Sequence, residues 1–233
     1  MSSPWFRQLL KDQGDCLIGG SYALWCFETY IMRRKPVWHP SDVDIYVSPT
    51  NENDVSEKSI REQYSQLLNQ CGPNCNLKSI KFNRMYNLYQ LMKPGSIPKD
   101  LGDSPMTGIS YNFDKSIIAV GTFDVPKQLV DIEAFTTPTV DLQVILFDKR
   151  SDGCHSSKLP SLFQGISGLA DIGIFMAPPT QYWSGANFPA WYFRHETYVN
   201  LTNANTLEIW DPRRQKKYEE RGYRVVKMFE ALR

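Results

Sequence analysis

One stretch, Cys16 to Val47, constrains this chain more than any other: CLIGGSYALW, a connecting segment, then HPSDVDIYV. In DVDIYV polar and apolar residues alternate. The alternation predicts a β-strand with Asp42, Asp44 and Tyr46 on one face and Val43, Ile45 and Val47 on the other. Alternate Cα atoms on a strand are roughly 6.5–7 Å apart, so the two carboxylates point the same way. Taking two neighbouring carboxylates out of water is costly unless positive charge stands beside them. The charge expected here is a divalent metal. Magnesium takes a few carboxylates together with phosphate and water oxygens. A two-metal phosphoryl-transfer site needs acids that bridge ions about 4 Å apart.

The glycines supply the other half of such a site. CLIGG reads as a short strand that ends in Gly19 and Gly20. Ser21 is expected to N-cap a helix over YALWCFETYIMRR, where Leu24, Phe27 and Ile31 keep helical spacing and Pro36 closes the run. Glycines let backbone amides come close to a phosphate, and a helix N-terminus attracts anions. The Ser21 hydroxyl can donate to a phosphate as well. A third carboxylate would complete the metal set. Asp141 in VDLQVILF lies on a predicted strand, on the same face as Gln143; its rival, Asp171, opens the predicted strand ADIGIFM. Either fits.

A strand ending in Gly-Gly-Ser, a helix, and a strand carrying Asp-x-Asp together resemble the nucleotidyltransferase fold of the DNA polymerase β superfamily. The matching residues are Gly20, Ser21, Asp42 and Asp44, with Asp141 as the third acid. The resemblance implies that the acids hold magnesium or manganese and that Gly-Ser grips the triphosphate of an NTP. The gap from Ser21 to Asp42 is longer than in compact members and is filled by RRKPVWHP. That arrangement looks like a poorly characterised nucleotidyltransferase-like group of large DNA viruses and fungi. Two further places resemble it: Gln143-Val144-Ile145, and a late helix with Arg214, Lys217, Tyr218, Arg221, Gly222 and Tyr223. In that group the segment aligned with ADIGIFM reads Phe-Asp, which favours Asp171. The resemblance covers roughly residues 15–50 and 139–225.

The implied fold is α/β (α+β), a mixed sheet flanked by helices in one domain over 1–233. An insertion is expected at about 70–125 and a basic helix at 211–222. The implied activity moves a nucleoside monophosphate from an NTP to a hydroxyl acceptor, RNA among the candidates. The alternative is an inactive module that binds nucleotide, nucleic acid or protein.

The rest of the chain adds detail. Residues 4–13 read as an amphipathic helix, stopped by Gly14 and Asp15. Ser56 to Gln70 is a helix, LKSIKF and MYNLYQLM a strand pair, and 93–112 a Gly/Pro/Ser-rich loop. SIIAVGTFDV and TVDLQVILF are strands, and LPSLFQGISG a short helix. Pro212 opens a helix that Asp211 can cap, Gly222 stops it, and YRVVKMF returns as a strand. Residues 211–233 carry eight Lys or Arg against four Asp or Glu. Arg213, Arg214, Lys216, Lys217 and Arg221 could meet a triphosphate or an RNA backbone, or simply form a solvated face.

A net charge of +1 gives no global pull on nucleic acid or membrane. No apolar run is long enough to span a bilayer, and MSSPWFRQLLKDQGD has no signal-peptide core. Five cysteines with no such signal predict reduced thiols and a cytoplasmic setting. Cys71 and Cys75 could bind zinc with Cys154 and His155; buried or loop thiols are the plainer reading. The aromatic stretch Tyr182–Tyr198 could stack a base, with packing against the sheet as its alternative.

Overall fold

The computed structural model describes residues 3–13, 16–51, 53–83, 86, 117–148, 172–177, 190–194, 196–209 and 212–227. Helix α1, Pro4–Asp12, starts on a proline and buries Phe6, Leu9 and Leu10. Strand β1, Cys16–Gly19, is buried along its whole length and feeds directly into α2, Gly20–Cys26. That helix continues as a π-helical turn, Phe27–Ile31, and then unwinds well before Pro36. Strand β2, Asp42–Val47, follows. Helix α3, Glu57–Cys71, begins one residue after the expected start, and Ser56 caps it: the Ser59 amide donates to Ser56 Oγ at 3.3 Å.

Strands β3 (Asn76–Phe82), β4 (Ile117–Pro126), β5 (Thr139–Phe147), β6 (Ile174–Ala177) and β7 (Ala190–Phe193) complete a seven-stranded sheet. Its order is β3-β4-β5-β2-β1-β6-β7. Every pairing is antiparallel except β2 with β5. Helix α4 (Thr197–Ala204), β8 (Thr206–Ile209), α5 (Pro212–Glu219) and β9 (Arg224–Lys227) follow. Strands β8 and β9 pair in parallel as a separate small sheet.

The expected mixed α/β architecture is therefore present, with two adjustments. LKSIKF pairs with β4 rather than with MYNLYQLM, whose residues apart from Tyr86 lie outside the described ones. The range 70–125 also contributes β3 and most of β4 to the main sheet. Gly14, Asp15, the loop at 93–112, LPSLFQGISG, Cys154, His155, Asp171, His195 and Asp211 lie outside the described residues.

Strand alternation gives the sheet two unlike faces. One carries Val43, Ile45, Val47, Leu142, Val144, Leu146 and Ile174 into the main core beneath α1, α2 and α3. The other has a smaller cluster, Leu17, Tyr46, Ile145, Phe147, Phe175 and Ala177. It holds only half of that face. Tyr46, Ile145 and Val120 are neighbours in register, and one step further along come Asp44, Gln143 and Thr122. A second step brings Asp42, Asp141 and Asp124 into line. Each of these three strands thus runs from apolar to acidic within five residues. The acids collect at one end because the registers of three strands agree.

Where it is described, the aromatic stretch does not pack on the sheet from outside: it joins the sheet as β7 and meets the π-helical turn. Phe27 meets the rings of Trp191, Phe193 and Tyr198 at centroid separations of 5.4, 5.3 and 6.0 Å.

Candidate functional site

The parallel pairing of β2 with β5 sets Asp42 beside Asp141 and Asp44 beside Gln143. Gln143 Nε2 donates to Asp42 Oδ2 at 3.1 Å, and Ser41 Oγ donates to Asp42 Oδ1 at 3.1 Å. These bonds hold the Asp42 carboxylate at the sheet surface, half-buried. On its other side β2 pairs with β1, which puts Gly19 opposite Asp44.

Gly20 is the closest point between the glycine turn and the acids. Its φ is +66°, a conformation few side chains tolerate. A Cβ there would lie 2.2 Å from Asp44 Oδ2. Both constraints call for glycine: the backbone turns sharply into α2, and a carboxylate occupies the space of the missing side chain. Gly19 is held for packing, since a Cβ on it would meet the Tyr46 ring at 2.9 Å. Ser21 does not cap the helix. Gly19 is the N-cap, no side chain bonds the first turn, and Ser21 is buried inside it. Its hydroxyl is two residues beyond the N-cap, too far into the helix for the expected capping role.

Asp141 shares a sheet face with Asp42, but its carboxylate is already engaged. Lys78 Nζ lies 2.5 Å from Asp141 Oδ1 and 3.5 Å from Asp124 Oδ1. Lys78 reaches them through a β-bulge. Leu77 pairs with Phe123 and Ser79 with Thr122, so Lys78 is the extra residue between them. The carboxylate contacts raise the pKa of Lys78, the hydrogen bond to Asp141 above all. Sequence reasoning missed this lysine, because simple alternation would put it on the face of Ile80 and Phe82.

The late helix faces the acids from the other direction. Lys217 feels both Asp42 and Asp44, and Arg221 feels Asp42. Burial pushes the pKa of each downward, and for Lys217 the neighbouring Arg221 adds to the shift. Arg221 sits with its guanidinium 4.1 Å above the Trp38 ring and 5.2 Å from that of Tyr218. Gly222 makes this possible. At φ +88° it ends the helix in a Schellman turn: the Tyr223 amide donates to Tyr218 O and the Gly222 amide to Glu219 O. Tyr218 and Tyr223 then pack at 6.3 Å, and Tyr223 meets Trp38 at the same separation. Trp38 leads into β2, so the aromatic contacts tie the basic helix to the strand that carries the acids.

The donor set fits a hard divalent cation. Asp42 and Asp44 offer oxygens from one face, with Asp141 on the adjoining strand. Among the described residues no three His, Cys, Asp or Glu side chains form a preassembled metal cluster. Ligands beyond the acid pair would come from substrate oxygens and water, as magnesium prefers. Cys71 and Cys75 lie together: Cys75 Sγ donates to Cys71 O at 3.2 Å, and burial pushes the Cys71 thiol up to about 12.

Comparison with protein-family models, curated proteins and solved structures gives no match for this chain. Among the described residues no helix is long and apolar enough to cross a membrane.

Proposed function

We propose that this chain is a divalent-metal-dependent nucleotidyltransferase with a nucleotidyltransferase fold, moving a nucleoside monophosphate from an NTP to a hydroxyl acceptor. The observation that carries the reading is the contact between Gly20 and Asp44. A glycine turn entering a helix lies directly against an acid pair, so an anion-binding backbone and a cation-binding face share one site. Asp42 and Asp44 would hold magnesium or manganese, and Asp141 would join them once released from Lys78. When bound, the metal neutralises phosphate charge and polarises the phosphorus–oxygen bonds. The amides at Gly19 and Gly20 would orient the outer phosphates, and Lys217 and Arg221 would offset their charge. Gln143 keeps Asp42 aimed. The acceptor oxygen bonds to the α-phosphorus, the bond to the bridging oxygen breaks, and pyrophosphate leaves with that electron pair. Asp141 would take the acceptor proton. Most of the rate advantage in such a transfer comes from positioning and charge neutralisation.

The Lys78–Asp141 contact favours a second reading, a module that binds nucleotide without transferring it, because the third acid already has a cation beside it. Thermal denaturation with ATP, GTP, CTP and UTP, with and without Mg²⁺ or Mn²⁺, tests both. Ligand at a hundredfold over its dissociation constant adds about 2.7 kcal/mol. A metal-dependent gain abolished in Asp42→Ala/Asp44→Ala, with pyrophosphate release on adding an acceptor, supports transfer. Metal-independent binding without pyrophosphate release supports the module. No stabilisation by any nucleotide overturns both.

A further inference from the structure

The segment RRKPVWHP, which lengthens the path from α2 to β2, has no role in the proposed chemistry except at Trp38. It borders a cavity of about 680 Å³ lined by Trp25, Thr29, Arg33, Arg34, Lys35 and His39, with Pro36 and Glu133 completing the wall. The walls are cationic: three consecutive basic residues face one lining carboxylate, and Glu28 lies near Arg34. The backbone is bent to present them. Arg33 takes φ +56°, unusual for a non-glycine residue, and the Arg34 amide closes the turn onto Glu28 O at 2.9 Å.

Arg33, Arg34 and Lys35 are exposed, so their charged heads stand at the cavity surface. The indole N–H of Trp25 and the hydroxyl of Thr29 are buried away from it. His39 Nδ1 lies 3.0 Å from Ala134 O, which can only accept, so the ring donates there. Guanidinium and ammonium groups suit a multiply charged oxyanion.

We propose that this cavity is a second anion site, which binds a phosphate group independently of the acidic site. Thr29 is nine residues beyond Gly20, on the order of 13 Å of helical rise, so one phosphate cannot occupy both places. The site needs neither metal nor the Asp42–Asp44 pair.

The probe is inorganic tripolyphosphate, titrated calorimetrically into the full chain in EDTA. Metal-free conditions keep the result apart from the nucleotide test above. Saturable binding is expected, weakened tenfold or more in Arg33→Gln/Lys35→Gln, both exposed residues whose replacement leaves the melting curve in place. Competition by a short single-stranded RNA would assign the phosphate to a nucleic-acid chain, and no competition to a small polyphosphate; either supports the site. Absence of saturable binding overturns the proposal. So does an affinity that falls with Lys217→Gln but not with Arg33→Gln/Lys35→Gln.

Discussion

Gly20→Ala separates the two reasons for the glycine. The first is backbone: φ +66° costs an L-residue about 1–2 kcal/mol. The second is contact: the new methyl would stand 2.2 Å from Asp44 Oδ2, and a carboxylate forced off its rotamer costs about 0.5–1.5 kcal/mol. Together they predict a loss of about 1.5–3.5 kcal/mol. Asp44→Ala removes only the second cause, so Gly20→Ala made in that background should cost about 1–2 kcal/mol. The double-mutant cycle therefore predicts a coupling of about 0.5–1.5 kcal/mol between neighbours, above the roughly 0.3–0.5 kcal/mol scatter of independent sites. Urea denaturation of wild type, the two single variants and the double variant measures it. Additivity within that scatter would mean that Asp44 does not lie against Gly20, and the shared anion–cation site would go with it.

Three further outcomes follow from the same geometry. The folded pKa of Lys217 lies below its usual 10.5, so the charged form carries a burial cost at neutral pH that fades as pH rises from the folded value toward 10.5. Lys217→Met should therefore stabilise the fold at neutral pH, with a gain that shrinks in urea melts run toward pH 10; a pH-independent gain would contradict the argument. Lys78→Met frees the Asp141 carboxylate from its cation, so Mn²⁺ binding followed by electron paramagnetic resonance should tighten. Unchanged affinity would exclude Asp141 from the ion site. A Cβ on Gly121 would meet Tyr64 Cε1 at 2.5 Å, and that ring is fully buried with its hydroxyl donating to Val144 O at 3.0 Å. Gly121→Ala should thus cost about 1–3 kcal/mol by overpacking. A loss under about 0.5 kcal/mol in urea melts, the range of an ordinary surface change, would show that the ring can retreat.

Several local features could be read directly from the chain. The alternation in DVDIYV assigned Asp42 and Asp44 to one face, because opposite-pointing neighbours are a property of extended backbone itself. Ser56 marked a helix start and Gly222 a helix stop for equally local reasons. Gly19 and Gly20 marked a sharp strand-to-helix turn. The cap lies two positions before the expected Ser21, since an N-cap is defined by the backbone angle at which the helix begins, and that angle falls on Gly19.

Other features arose only when distant segments met. Gln143 and Asp42 are 101 residues apart, and nothing in either strand says that β5 rather than another strand will lie parallel to β2. Lys78 reached the acids through a bulge, a mismatch between two strands that neither one encodes alone. The pairing of Arg221 with Trp38, and the approach of Lys217 to the acids, required the late helix to fold back over β2. Local backbone geometry was enough to place each acid on its side of its own strand. Tertiary structure decided which acids became neighbours and which cations faced them, because register and strand order are settled by long-range pairing and burial.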